Sequence, residues 1–254
     1  MCGRYSLETP LHELAEIFDA AVALDEPGPR FNVAPTQTVA ALRQPDARRE
    51  IVGLRWGLIP RGTEDPSTLP LMINARAESL DRRASFRDLV ADHRCAVLAD
   101  GFYEWRTEHG VRQPYYVRRA DRKPLAFAGL WDRRIDHEAV LESCAIVTTD
   151  ANELLAPVHD RMPVILDDAA VRPWLDPALT DFERVRSSLR PFPSGELEVF
   201  PVSTRVNRTG VDDPELVVPL DEPIGRERSW GDRPPAEAPH EQLGLFEPGQ
   251  GDKA

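Results

Sequence analysis

Lysine is nearly missing from this chain: of 31 basic residues only Lys123 and Lys253 are lysines, the rest being arginines. Basic residues of either kind are also in deficit, since 43 acidic side chains set a formal net charge of -12. That balance excludes indiscriminate binding to nucleic acid and requires any such partner to be met by a local basic surface. An arginine-dominated set suits planar, bidentate contacts to phosphate better than a lysine-dominated one, although codon bias in a GC-rich genome would give the same composition. Cysteine is scarce too. Cys2, Cys95 and Cys144 form no CxxC pair, so neither a disulfide framework nor a structural zinc site is expected, in keeping with a reducing compartment. Apolar runs all fall short of the roughly 18 residues of a membrane span, and the polar N-terminus is unlike a signal peptide. We therefore expect a soluble, cytoplasmic protein with no membrane partner, no metal and no cofactor.

What the chain does have is enough apolar material, 41% of 254 residues, for a sizeable core. Residues 221–254 are rich in proline, glycine and acids, with eight acidic against four basic side chains, and read as a disordered tail. Residues 2–220 read as the folded body. Short apolar, β-branched or aromatic runs recur through it, at Val39–Leu42, Ile51–Leu54, Cys95–Ala99, Tyr115–Val117, Leu125–Leu130, Cys144–Thr148, Pro163–Leu166 and Leu197–Val202, and each predicts a strand. The first two flank a Gln44-Pro45-Asp46 turn, and Trp105 and Tyr115 flank a turn containing Gly110, so both pairs predict antiparallel hairpins. Helical patterns are fewer. Thr9-Pro10 should start a helix carrying Leu11, Leu14, Ala15 and Phe18, with Thr9 as its cap; others are expected at Phe86–Asp92, Asp168–Trp174 and Asp181–Leu189. With no internal repeat and no regular strand–helix alternation, the fold class is α+β, built on an antiparallel sheet or barrel with peripheral helices.

The second residue carries the most chemistry. A small residue after Met1 favours removal of the methionine, which would leave Cys2 as the N-terminus. A thiol and a free α-amine would then sit on adjacent carbons. The amine, with an unperturbed pKa near ~8, is partly the neutral nucleophile at neutral pH. Both groups can attack one aldehyde in succession, closing a thiazolidine ring; alternatively, the thiolate can transfer an acyl group with the amine as base. The plain alternative is an ordinary residue on a frayed terminus.

Four polar motifs accompany it. Met72-Ile73-Asn74-Ala75-Arg76-Ala77-Glu78 is expected to open a helix, and Gly101-Phe102-Tyr103-Glu104-Trp105 follows an apolar strand. Thr148-Thr149-Asp150-Ala151-Asn152 ends another strand, and Val158-His159-Asp160-Arg161-Met162-Pro163 precedes a third. Each puts polar chemistry where an element meets a loop, the usual place for an active site on a rigid scaffold. Together with Met1-Cys2-Gly3-Arg4-Tyr5, Arg30 to Gln37, Leu54 to Pro60 and Pro201 to Asn207, they resemble the SOS response-associated peptidase family, which processes abasic sites in single-stranded DNA. The resemblance runs from Cys2 to about Leu220 and implies a self-contained domain with a partly closed β-barrel and flanking helices.

That resemblance also implies roles. Cys2 would be the nucleophile that forms a thiazolidine with the ring-opened abasic sugar; Asn74 would position its amine and thiol, Glu104 relay protons, and His159 assist ring opening. Such partners suit the chemistry, because a hemiacetal must open and water must leave a carbinolamine. Arg4, Arg76 and Arg161 are expected at the flanking phosphates, and Asn32, Trp56 and Trp105 at bases or sugars. Two other readings stay open: an N-terminal-cysteine peptidase or amidotransferase, and a non-catalytic single-stranded DNA binding module. A monomer near the bacterial nucleoid is expected. In the tail, Gln242-Leu243-Gly244-Leu245-Phe246 resembles the bacterial sliding-clamp-binding motif, with Gln242, Leu243, Leu245 and Phe246 as the contacting residues.

Overall fold

In the computed structural model, the described residues are 2–108, 110–136, 139–221 and 223. The tail motif at 242–246, and nearly all of the expected tail, lies outside them. In chain order the elements are β1 (Tyr5–Leu7), α1 (Leu11–Phe18), β2 (Ala20–Val22), β3 (Arg30–Val33), β4 (Thr38–Arg43), β5 (Arg49–Trp56) and β6 (Asn74–Arg76). There follow β7 (Arg94–Ala99), β8 (Gly101–Glu108), β9 (Val111–Arg119), β10 (Leu125–Asp136), β11 (Ala139–Asp150), β12 (Arg161–Pro163), α2 (Asp168–Leu175), α3 (Phe182–Arg186) and β13 (Leu197–Pro201). The fold is mainly strands with peripheral helices. Among the described residues no helix is long and apolar enough to cross a membrane.

Five strands close a barrel. Antiparallel ladders run from β11 through β10, β7 and β4 to β5, and a short parallel seam, Ser143 beside Arg55 and Cys144 beside Trp56, joins β5 back to β11. The barrel is thus closed all round, where the family resemblance implied partial closure. Its wall takes the β-branched and aliphatic runs and is buried on both faces. Leu54, Val97 and Ile146 share one face with the thiols of Cys95 and Cys144, Ile51, Leu98, Leu130 and Val147 lie on the other, and all are without exposed surface. A second, open antiparallel sheet has the order β13, β9, β8, β1, β3. Its central strand β8 faces two ways, as strand alternation demands: Phe102 packs into the main core, and Tyr103 into a smaller one with Tyr116, Val202, Val206 and Leu216. Gly101 is required there, because a Cβ would stand 2.3 Å from the Tyr116 ring.

Helix starts depart from expectation in an instructive way. Thr9 does not cap α1: its N–H and hydroxyl both go to Asp100, at 2.8 and 2.7 Å, while Pro10 is the N-cap and offers no side-chain bond. The Leu11 N–H is instead accepted by the Glu26 carboxylate at 2.9 Å. Asp167 and Asp181 cap α2 and α3 through their side chains. Residues 86–92 make turns rather than a helix. The motif around Asn74 is also not helical. Asn74 to Arg76 pair in parallel with β11, Asn74 beside Ile146, and only Ala77–Ser79 turns, as one 3₁₀ turn; pairing with a core strand outweighs local helix preference.

Candidate active site

Three separate segments converge on the N-terminus. β1 pairs with β8 in the register Tyr5 to Phe102 and Ser6 to Gly101, and the Tyr103 N–H donates to the Arg4 carbonyl at 3.0 Å. Carried two residues further, the same register sets Gly3 and Cys2 alongside Glu104 and Trp105. From the barrel side, the Asn74 amide Nδ2–H donates to the Cys2 carbonyl at 2.8 Å, while the Asn74 Oδ1 is buried and has no hydrogen-bond partner. A pocket of about 400 Å³ opens beside these groups. Gly3 and Arg4, Glu104 and Trp105, Arg112 from β9, the loop residue His159, and Asn207 at the end of a 3₁₀ turn (Thr204–Asn207) line it.

The electrostatics follow from burial. Glu104 is 2% exposed, and burial pushes its carboxyl up to about 7, against opposing pulls that include the Arg112 charge and the Trp105 backbone N–H. At neutral pH it is therefore populated in both forms, as a proton relay requires. Burial, and next the nearby Glu104 charge, drive the Cys2 thiol well above its ordinary value, so sulfur stays protonated. His159 moves the other way. Burial lowers its pKa, with Asp160 opposing, and its Nδ1 accepts the Arg161 backbone N–H at 2.9 Å. The Asp160 carboxylate lies 2.9 Å from the same Nδ1.

The expected DNA contacts divide into two groups. Arg76 is exposed, and Arg4 and Trp105 line the pocket. The other three lie inside the protein, held by hydrogen bonds to neighbouring groups. Asn32 donates to the carbonyls of Arg208 and Val211 at 3.0 and 2.6 Å and accepts from Arg4 at 2.7 Å; it fixes Arg4 and does not face a ligand. Trp56 has no exposed surface, packs against Tyr5 with ring centroids 5.4 Å apart and the planes tilted by 51°, and donates its indole N–H to the Ile73 carbonyl at 3.0 Å, which steadies the residue preceding Asn74. Arg161 is 8% exposed. Its guanidinium is held by both Glu78 oxygens, at 2.9 and 3.0 Å, by Asp150 at 2.7 Å and by the Thr148 carbonyl at 2.7 Å.

Sequence reading missed Arg112, Asn207 and Glu78. The Gly110 hairpin contained the signal for the first: in its register Thr107 faces Arg112 and Trp105 faces Pro114, so Arg112 is the diagonal neighbour of Trp105. Asn207 ends the Pro201 to Asn207 stretch that carries part of the resemblance, but no local pattern shows that it reaches the site to accept the Trp105 indole N–H at 2.7 Å.

Comparison with known proteins places this geometry. The family model described as SOS response associated peptidase (SRAP) matches residues 1–209. The abasic site processing protein YoqW of Bacillus subtilis (strain 168) is 38% identical over 221 residues, covering 85% of this chain and 99% of that protein. The abasic site processing protein YedK of Escherichia coli (strain K12) is 30% identical over 226 residues, covering 87% and 100%. A crystal structure of a protein from Bacteroides thetaiotaomicron superposes with a TM-score of 0.76 at 26% identity, over 86% of this chain and 100% of that one.

Proposed function

Because the chain belongs to the SOS response associated peptidase family, we propose that it processes abasic sites in single-stranded DNA by covalent capture through Cys2. The observation that carries this reading is that Glu104, His159 and Gly3, the residue next to Cys2, line one pocket, while Asn74 is bonded to the buried Cys2 backbone behind it. After removal of Met1, the α-amine of Cys2 adds to the open-chain aldehyde of the sugar. The carbinolamine loses one water to give an imine. The thiol then adds across the C=N bond, sulfur to carbon and its proton to nitrogen, closing a thiazolidine. Glu104 takes a proton from the Cys2 nitrogen, freeing the neutral amine that adds, and returns one to the leaving hydroxyl, a use that suits a carboxyl poised near 7. His159 exchanges a proton with the sugar ring oxygen during opening. The unpartnered Asn74 Oδ1 is an acceptor for an amine N–H. A thiol held protonated suits second-step addition to an imine better than thiolate attack on a peptide, which sets acyl transfer behind this reading.

Single-stranded DNA would lie across the pocket mouth, met by Arg4, Arg76 and Trp105. Arg161, already paired with Glu78 and Asp150, would reach a phosphate only by exchanging a carboxylate partner. The tail residues Gln242, Leu243, Leu245 and Phe246 would tether the domain to a sliding clamp and so to replicating DNA in the nucleoid.

The test is a denaturing gel of protein mixed with an oligonucleotide carrying one abasic site. A covalent band is expected. Cys2→Ala should abolish it, and Cys2→Ser should leave only an imine that borohydride traps. Full cross-linking by protein shown by mass spectrometry to retain Met1 would overturn the mechanism.

A further inference from the structure

The arginines around the pocket differ in what already holds them. Arg161 is neutralised by two carboxylates, and Arg4 donates to Asn32 at 2.7 Å and to the Val206 carbonyl at 2.8 Å. Arg112 is exposed, and its guanidinium has no hydrogen bond or ion pair among the described residues. Its contact is with an aromatic ring: the guanidinium carbon lies 4.9 Å from the centroid of the Trp105 indole. Trp105 is in turn fixed by the 2.7 Å bond from its indole N–H to Asn207, so the ring on which the guanidinium rests is anchored. A guanidinium resting on an indole face keeps its N–H edge available for bidentate hydrogen bonding. Both residues of the stack line the pocket that holds Glu104, and the Arg112 charge reaches Arg4 and Glu104. An anion seated against that edge would therefore lie next to the group that handles protons.

We propose that Arg112 binds the phosphodiester adjacent to the reacting sugar, with Trp105 and Asn207 holding its guanidinium in place. This rests on the reading of the pocket as an abasic-site capture centre. It adds a phosphate contact at an arginine whose guanidinium has no hydrogen-bond or ion-pair partner among the described residues, whereas the two terminal nitrogens of Arg161 are already bonded to Glu78, Asp150 and Thr148. Capture would then depend on one linkage more than on its neighbours, because the anchored stack fixes where the phosphate must sit.

The experiment uses protein lacking Met1 and single-stranded oligonucleotides with one abasic site, in which each phosphodiester near the lesion is replaced in turn by a neutral methylphosphonate. Single-turnover cross-linking by the wild type should fall roughly tenfold to hundredfold at one linkage, the worth of a hydrogen bond to a charged group. Arg112→Ala should show the same loss on native DNA and no further loss when that linkage is neutral. Arg112→Lys should keep the salt dependence of binding and recover only part of the rate, since it restores charge without a planar fork. If Arg112→Ala matches the wild type on native DNA, or responds to every neutral linkage as the wild type does, the assignment is wrong. No cross-link from the wild type would instead overturn the proposed function. The same linkage series read by fluorescence anisotropy, on a non-reactive abasic analogue, would then still decide the Arg112 contact.

Discussion

Replacing Glu104 by glutamine should stabilise the protein while disabling it, and the size of the gain follows from burial. The carboxyl moves from 4.5 to about 7 on folding. Because the folded state holds its proton more tightly, stability is unaffected by this group below about 4.5, falls as pH rises through the window, and reaches its full loss above about 7. Each tenfold difference in proton affinity is worth about 1.4 kcal/mol, so the loss amounts to about 3 kcal/mol. With the side chain almost wholly buried, solvent screening does little to reduce it. Glutamine keeps the shape and removes the charge. Its advantage should therefore be absent near pH 4, grow between pH 4.5 and 7, and level off at pH 8 at about 3 kcal/mol, or roughly 6–12 °C in Tm for a domain of this size. Thermal unfolding of both proteins by circular dichroism across pH 4–8 measures this, and cross-linking in the same buffers should be slowed by roughly 10²–10⁴. A stability difference that is constant with pH, or that favours the wild type at pH 8, would refute the argument that burial sets this carboxyl.

Four further outcomes are expected. His159→Ala should slow single-turnover cross-linking by roughly 10²–10⁴ with little change in DNA affinity, and an unchanged rate of bound protein would remove His159 from the chemistry. Arg76→Ala should flatten the salt dependence of binding to intact single strands by roughly 0.7 and leave Tm unchanged, whereas Arg161→Ala should lower both Tm and affinity, because Glu78 and Asp150 lose their shared counter-ion. Gly101→Ala should destabilise by about 1–3 kcal/mol or more in urea unfolding, since its Cβ would meet the Tyr116 ring at 2.3 Å and the Val117 carbonyl at 2.7 Å. A peptide spanning 238–250 should bind the cognate clamp at about micromolar affinity by calorimetry and lose most of it on Leu245→Ala or Phe246→Ala, and no heat at high micromolar concentration would separate the tail from the clamp.

Strands with continuous apolar runs were legible in the sequence because both faces are buried. Cys95 to Ala99 and Cys144 to Thr148 sit in the barrel wall without exposed surface. The Gly110 hairpin was equally legible from its turn. Short strands without such runs were not. β6 is three residues long and is held by β11 and by the Trp56 bond to Ile73, contacts that no local pattern announces. The same distinction applies to the site. Types such as Cys, Asn, Glu and His at element ends could be picked out as candidates, but whether an arginine is available to a ligand depends on partners distant in sequence. Glu78 lies 83 residues from Arg161 and Asn32 lies 28 from Arg4. Those partners are what separate Arg112 from Arg161.

Under the proposed mechanism, the protonation states also order the two bond-forming steps. A cysteine poised for acyl transfer is lowered by a cation or a helix N-terminus until sulfur ionises. Here burial and the Glu104 charge act in the opposite direction, so the amine, not the sulfur, is the group able to react first. Once the amine has become an imine, its carbon is electrophilic enough for a neutral thiol that delivers its own proton to nitrogen. Glu104 serves both stages through the same property, since a carboxyl near 7 can accept from the ammonium and donate to the departing hydroxyl without a change of environment. The order is testable. Capture by Cys2→Ser in the presence of borohydride should proceed at a rate close to that of wild-type imine formation. A serine variant in which trapping itself is slowed as severely as the final cross-link would place sulfur in the first step and reverse the sequence.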